Sequence, residues 1–523
     1  MRVPPGVYVE ETLGGRAPIP GVSTSNTAFI GVLPRGPVGR AIRIASWADH
    51  ERNFGGLHPD CETSYALHTY FLNGGGIAYV VRVANGATPA FVALPPENGG
   101  ITLTASSPGA WGNSLRVGIA HAGGTGITTF DLLIREYRGN DLIREESHIG
   151  LSVIAGHPRH AGRVLAAESR LVTAAAQLSD SLPDRTQADG AGLATLEALR
   201  LLHPDGLSAM SGGTEGILPA DSDAFAALTG TAHMAGIAAL DAIAPDIFNL
   251  MCLPDLSVLG QSRSAAAAAV YRAANSYCER NLAFLIVDSL ADTTDANIGA
   301  WTSALGSTVR RNAALYYPRL IGPHPLHPAQ DRILAASAAV AGVYARIDAA
   351  RGVWQAPAGT EAGISGGRPV DPMTDPRQDL LNAQGINALR IFPTLGTVIW
   401  GARTLDGADA LASDWKYIPV RRLALYIESS LLLGLQWAVF EPNDEPLWAS
   451  VRLQVTDFMS RLHRQGAFQG APERDAFLVK CDAETTSQAD IDLGVLNILV
   501  GFAALRPGEF IILHIQKRMQ SNA

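Results

Sequence analysis

Lysine is almost missing from this chain of 523 residues: it occurs only at Lys416, Lys480 and Lys517, and every other basic side chain is arginine. With alanine abundant throughout, this reads as a coding bias and excludes nothing by itself. Cysteine is scarce as well. Cys61, Cys252, Cys278 and Cys481 stand far apart with no Cys-x-x-Cys, which argues against a zinc site or a disulfide framework and fits a reducing cytoplasm. Charge is thin, at 17% of residues, against about 25% in an ordinary globular protein. The acidic excess gives a formal net charge of -9, whose field repels phosphate backbones and argues against nucleic acid as a partner. Long apolar runs are lacking too. The uncharged stretch 493–505 falls short of the roughly 20 residues that a membrane helix needs. The opening Met1-Arg-Val-Pro-Pro-Gly6 reaches Glu10 and Glu11 before any apolar run, unlike a signal peptide. The expectation is a soluble chain that does not insert directly into a membrane.

What is present suffices for several cores: 47% of the residues are hydrophobic, and at roughly 150 residues per domain the length corresponds to about three to four domains. Pro5-Gly-Val-Tyr-Val-Glu-Glu11 alternates like a short strand, and the Gly/Pro-rich stretch 14–21 behind it reads as a loose tether. A strand over 28–33, a helix over 64–72 and a strand over 77–83 form a β-α-β unit. From 86 to 213 the texture changes to short strands, at 101–104, 114–119, 130–135 and 141–145, between Gly-rich turns. A helical tail over 163–204, broken at Pro183 and Asp189-Gly190, follows them. Alternation then resumes, with strands at 247–253, 283–287 and 314–317 and helices at 264–280, 296–310 and 329–351. This predicts a doubly wound α/β domain, 27–85 plus 214–353, interrupted by a β-rich insertion, 86–213. The Gly-, Pro- and Thr-rich loop 354–376 marks the next boundary. Beyond it two amphipathic helices carry the stripes Val420, Leu423, Ile427, Leu431, Leu435 and Val451, Val455, Phe458, Met459, Leu462. The chain then closes on the apolar run Glu509-Phe-Ile-Ile-Leu-His-Ile-Gln-Lys517.

Candidate chemistry is sparse. Gly363-Ile-Ser-Gly-Gly367 matches the nucleophile elbow, a motif that needs a strand directly before it and a helix directly after. Pro357, Pro369 and Pro372 surround it, so a Gly-rich loop is the better reading, and a cytoplasmic α/β hydrolase using Ser365 is the alternative function. His157 with His160, and His324 with His327, have chelating spacing, but proline-flanked loops fix such pairs poorly and no carboxylate or cysteine cluster accompanies them. Gly74-Gly-Gly76 precedes a strand and Gly123-Gly-Thr-Gly126 lies among strands, so both read as turns rather than phosphate cradles. The sequence predicts no enzyme, with no catalytic residue, cofactor or metal.

The two chain ends are the unexplained feature. A tethered strand at one terminus and an apolar strand at the other leave open N–H and C=O groups, a liability for a monomer. They make sense as strands donated to neighbours, where main-chain hydrogen bonds give affinity. The low charged fraction suits buried intersubunit surface as well.

Several segments then become recognisable together. Pro5-Gly-Val-Tyr-Val-Glu-Glu11 with Thr27-Ala-Phe-Ile-Gly31 resembles the opening of contractile tail sheath proteins of bacteriophages and phage-like contractile injection systems. Ser107-Pro-Gly-Ala-Trp-Gly-Asn-Ser-Leu115, Ser211-Gly-Gly-Thr-Glu-Gly216 and Leu381-Asn-Ala-Gln-Gly-Ile-Asn387 resemble the same family. The densest similarity runs from Val398-Ile-Trp-Gly-Ala-Arg-Thr-Leu405 through Tyr417-Ile-Pro-Val-Arg-Arg-Leu423, Tyr426-Ile-Glu-Ser-Ser430, Val439-Phe-Glu-Pro-Asn443 and Cys481-Asp482 to Arg506-Pro-Gly-Glu-Phe510. The stretch 86–213 matches least.

The resemblance implies a structural subunit of a six-start helical sheath of stacked hexameric rings. Its partners would be further copies of itself, an inner tube protein, and baseplate and terminator or cap proteins. The implied organisation is a linking arm and tether at 1–26, a tube-facing C-terminal domain at 354–507, and a linking strand at 508–523, with the insertion facing outward. Exchanged terminal strands would carry Val7, Tyr8 and Val9 at one end and Phe510, Ile512 and Leu513 at the other. Arg461 and Arg464, on the polar face of the second amphipathic helix, are the tube-facing candidates. Synthesis and assembly would be cytoplasmic, with release as an extracellular particle or virion tail.

Overall fold

Six consecutive buried residues, Thr27–Val32, form a strand covered on both faces, the run expected of a parallel sheet with layers on either side. The computed structural model describes residues 18–95, 100–122, 127–175, 181–217, 233–505 and 510–518, the last as backbone only. The predicted arm strand with Val7, Tyr8 and Val9, and the Gly123-Gly-Thr-Gly126 turn, lie outside the described residues. The chain divides into two units, 25–347 with 357–411, and 1–24 with 348–356 and 412–523.

The larger unit holds an eight-stranded sheet. Its spatial order is Ala41–Ile44, Ala78–Val83, Thr27–Val32, Leu250–Cys252, Phe284–Asp288, Ala313–Tyr317, Ile386–Phe392, Gly396–Trp400. The six inner strands are parallel and the two edges antiparallel. Alternate residues of the strands, among them Ala28, Ile30, Leu285 and Leu315, share one core with the helices Ser264–Arg280 and Ile298–Leu305. The opposite set meets other helices: Phe29 stands edge-on to Tyr70 of Glu62–Leu72, and the Tyr316 and Tyr344 hydroxyls meet at 2.5 Å, the latter from Ala336–Arg351.

Two expectations change in this unit. The boundary expected at 354 lies at 412, because the strands Ile386–Phe392 and Gly396–Trp400 extend the sheet instead of starting a new domain. The helix expected over 329–351 begins at Ala336, and His327–Leu334 is instead a strand antiparallel to Leu320–His324. Pro328 holds the preceding residue extended, and Arg332 is clamped by the carbonyl of Pro59 at 2.9 Å, Glu62 at 3.0 Å and the face of Tyr65. The β-rich segment contains the predicted strands, extended to Phe130–Arg138 and Asp141–Leu151. Its Asp189-Gly190 break is a tight hairpin turn in which both residues take positive φ, 51° and 78°.

In the smaller unit both predicted helices form, Ile418–Gly434 and Glu445–Arg464. All ten stripe residues are buried in one core, joined by Leu496, Ile498, Val500 and Phe502 of the strand Val495–Ala503. Asp444 caps the second helix by accepting from the Leu447 N–H at 3.2 Å. That strand is central in a three-stranded antiparallel sheet between Phe477–Lys480 and Phe510–Arg518.

Candidate functional site at the tether and the C-terminal sheet

The tether is not loose once it reaches Ile19, which corrects the expectation for the end of 14–21. Ile19 is 2% exposed and belongs to the helix core. Its carbonyl accepts from Arg461 Nη2 at 2.7 Å, the Val22 N–H donates to Ser430 Oγ at 3.2 Å, and the Thr24 carbonyl accepts from Arg422 Nη2 at 2.9 Å. Two glycines permit this approach: a Cβ on Gly21 would lie 2.0 Å from the Tyr426 hydroxyl, and one on Gly434 would lie 2.5 Å from Ile19. Residues 19–24 are thus stapled across both amphipathic helices.

Arg422 is the hinge pin of this staple. Its guanidinium grips Asp348 with both nitrogens, at 2.9 and 2.5 Å, and the two side chains are 3% and 2% exposed. A buried charge of this kind is stable only while its partner and remaining donors are satisfied, and the Thr24 carbonyl takes one of those donors. Nothing in the sequence pairs Arg422 with an aspartate 74 positions away; the only signal was an arginine interrupting an apolar helix. Asn443 plays a similar joining role, donating to the Val495 carbonyl at 3.0 Å while accepting from Trp448 Nε1 at 2.8 Å. It ties the second helix to the central strand.

The C-terminal strand with Phe510, Ile512 and Leu513 pairs with its own chain, Phe510 opposite Ala503 and Ile512 opposite Gly501. Its expected role as an unpaired strand is therefore revised: within one chain it completes the three-stranded sheet. Among the described residues no strand pairs with the outer edge of Phe510–Arg518 or of Phe477–Lys480. The latter is only four residues long, so it leaves part of the central strand uncovered.

Arg461 and Arg464 do not form a common free charge patch. Arg461 is committed to Asp457 and to the Ile19 carbonyl, whereas Arg464 is exposed. Phe440 is unusual in another way: it holds φ at 73° and is 82% exposed, a strained conformation for a bulky residue with no packing to reward it.

The chemistry considered as an alternative does not assemble. Ser365 is exposed in a loop with no strand before it and no helix after it, its N–H donating to Asn73 Oδ1 at 2.8 Å. The His324 and His327 rings lie 4.9 Å apart, tilted by 52°, and burial lowers the His324 pKa, disfavouring its charged form. Among the described residues, no three His, Cys, Asp or Glu side chains are grouped to hold a metal ion. Burial pushes the Cys481 thiol up to about 12 and the other thiols also upward, as for inert core cysteines.

The smaller unit thus combines a helix-anchored tether with a sheet whose outer edges no described strand pairs. The phage tail sheath protein central domain matches residues 226–405, and the phage tail sheath C-terminal domain matches residues 412–518. Together these span more than half of the chain; the first ends at 405, and the second begins at 412, where the structural units also divide. The chain belongs to the phage tail sheath family. A putative prophage major tail sheath protein of Pseudomonas aeruginosa (strain UCBPP-PA14) is 30% identical over 179 residues, 33% of this chain and 43% of that relative. The helical sheath of the anti-feeding prophage in its contracted state superposes with a TM-score of 0.56 at 25% identity, covering 98% of this chain and 99% of that one. The sheath complex of an extracellular contractile injection system, also contracted, gives 0.56 at 22% identity with 98% of each chain covered. These relatives are structural proteins, and the hydrolase reading of Ser365 falls.

Proposed function

We propose that the chain is the sheath subunit of a contractile injection particle. Copies polymerise around an inner tube, and their contraction drives that tube through a target envelope. The observation that carries this reading is the family match across both units, supported by the anchored tether beside an open sheet. Free energy stored in assembly, rather than catalysis, would do the work: release of the extended array lets subunits rotate into new contacts while linked arms keep the mesh connected.

In this reading the arm strand with Val7, Tyr8 and Val9 leaves its own anchor and adds to the sheet of a neighbour. Phe510, Ile512 and Leu513 lie on the strand that meets it, and the exchanged strands close edges that are otherwise open. The smaller unit faces the tube, with exposed Arg464 as its contact and Arg461 as the brace that holds the arm. The β-rich segment faces outward. Baseplate and cap proteins would terminate the six-start array. Particles would assemble in the cytoplasm and act outside the cell or as a virion tail.

The test is negative-stain electron microscopy of the pelletable fraction from cells expressing this chain, alone and with its tube protein. Striated hollow tubes or stacked rings are expected, and removal of residues 1–12 should leave a folded subunit that forms neither. Dispersed particles in the presence of the tube protein would overturn the sheath reading; undiminished polymers without residues 1–12 would overturn arm exchange alone.

A further inference from the structure

A chain of formal charge -9 gathers five arginines around one cavity. Arg35, Arg40, Arg52, Arg144 and Arg170 line a space of about 540 Å³ in the larger unit, with Ser106, Ser107, Asn53 and Trp111 between them. Two of the charges are answered. Arg35 donates to both oxygens of Glu136, at 2.9 and 3.0 Å, and Arg52 pairs with Asp49. Among the described residues, the side chains of Arg40, Arg144 and Arg170 form no ion pair. Glu146, the next carboxylate, accepts from the Ser169 hydroxyl at 2.7 Å and from the Arg170 N–H at 3.1 Å.

Converging guanidiniums repel one another. Burial, and then the Arg35 charge, lower the Arg144 pKa and so disfavour its charged form, while Glu136 and Glu146 oppose this only in part and Arg170 adds to it. The cavity wall is nonetheless held firmly. Arg82, only 2% exposed, donates to the carbonyls of Leu33, Pro34 and Gly36 and, at 2.7 Å, to that of Pro108. The Gly36 N–H donates to Ser107 Oγ at 3.0 Å. The loop carrying Arg35 is thereby pinned to the loop carrying Ser106 and Ser107, and Arg35 also lies over the Trp111 ring. Beside these pinned loops, Arg144 on the strand Asp141–Leu151 is half-buried and Arg40 and Arg170 are exposed, so guanidiniums without a carboxylate partner border a ligand-sized space, a charge pattern that suits an anion.

We propose that this cavity binds a multiply charged phosphate anion, either an inorganic polyphosphate or the phosphate chain of a nucleotide. A compact anion with several adjacent charges can meet Arg40, Arg144 and Arg170 at once. An acidic peptide, whose carboxylates are spread along an extended backbone, reaches them less efficiently. The Ser106 hydroxyl is already donated to the Arg170 carbonyl at 2.6 Å, which leaves Ser107 and Asn53 as the neutral donors, and Trp111 lines the same space.

Isothermal titration calorimetry of the 523-residue chain with inorganic tripolyphosphate at low salt tests this. One saturable site per chain is expected. Arg144→Glu and Arg170→Glu should each weaken it about ten- to a hundredfold, the range for a lost charge-assisted hydrogen bond. Arg474→Glu, at an 85% exposed side chain in the smaller unit, should leave it unchanged. If a reversed variant fails to fold, Arg144→Gln with an unaltered melting curve serves in its place. Tighter binding of adenosine triphosphate than of tripolyphosphate assigns the site to nucleotides, and equal binding assigns it to inorganic polyphosphate. Absence of saturable heat at about 5 mM ligand, roughly fivefold above a weak site of about 1 mM, overturns the proposal. So would equal weakening by Arg474→Glu, or tighter binding of hexa-aspartate.

Discussion

Gly31 sits in the middle of the buried strand Thr27–Val32, where a larger side chain would ordinarily add packing. A Cβ there would lie 1.9 Å from Thr63 Oγ1 and 2.6 Å from Asp255 Oδ2. Thr63 Oγ1 donates to Asp255 Oδ1 at 2.7 Å, and the Val32 N–H donates to Asp255 Oδ2 at 2.6 Å. Gly31→Ala should therefore cost about 2–4 kcal/mol through overpacking and a broken buried bond. The urea midpoint reads it, and an unchanged midpoint would mean that the helix can back away. The same aspartate predicts a pH dependence. Burial pushes its carboxyl up to about 7, although the Val32 and Thr63 donors favour the ionised form. In the unfolded chain its pKa is about 3.9, so between roughly pH 4 and 7 the folded state keeps a proton that the unfolded state has lost. Stability contributed by this difference is full below about pH 4 and declines as pH rises toward 7. Asp255→Asn should flatten that decline in urea midpoints taken across the range. A slope that survives the substitution would belong to Asp288, which burial raises to about 6. Neither role was legible in the sequence, since Gly31 reads as one small residue among apolar ones and its neighbours come from 192 to 223 positions away from their partners.

Elements show where local signals suffice. Ser264–Arg280 forms as expected because its apolar periodicity and alanine propensity agree with the core it covers. His327–Leu334 does not, because its alanine and long polar residues permit a helix while Pro328 and the distant clamp on Arg332 impose a strand. The tether is the same case at the functional site: glycine and proline suggested slack, and only the folded helices reveal the grip on Ile19 and Thr24. Removing residues 1–17 should leave melting of the smaller unit unaltered. Removing 1–24 should lower its stability by about 2–4 kcal/mol, the burial of Ile19 plus lost hydrogen bonds. Equal melting of the two truncations would show that the anchor contributes nothing. Phe440 separates stability from assembly in the opposite sense. Phe440→Gly relieves a positive φ and should raise stability by up to about 1 kcal/mol, yet weaken polymerisation if the exposed ring is an intersubunit contact. A variant that melts higher and polymerises normally would reduce Phe440 to a strained turn.

At the scale of the molecule, the negative charge that argued against nucleic acid also bears on how subunits come together. Each copy adds a formal charge of -9, so polymerisation concentrates like charge, and that repulsion is felt over about 30 Å at 0.01 M salt but only about 8 Å at 0.15 M. In the proposed arm exchange, main-chain pairing, and any burial of apolar side chains such as Phe440 and Leu453, 82% and 71% exposed in the single chain, would by comparison be insensitive to screening. The fraction that sediments at a fixed subunit concentration should therefore rise as salt is increased from about 0.01 to 0.15 M. The opposite result, polymers that dissolve over that range, would place the assembly energy in intersubunit ion pairs. Arg464, exposed at the end of its helix, would then become the first residue to reverse, and the exchanged strands would fix connectivity while contributing little of the free energy that holds the array together.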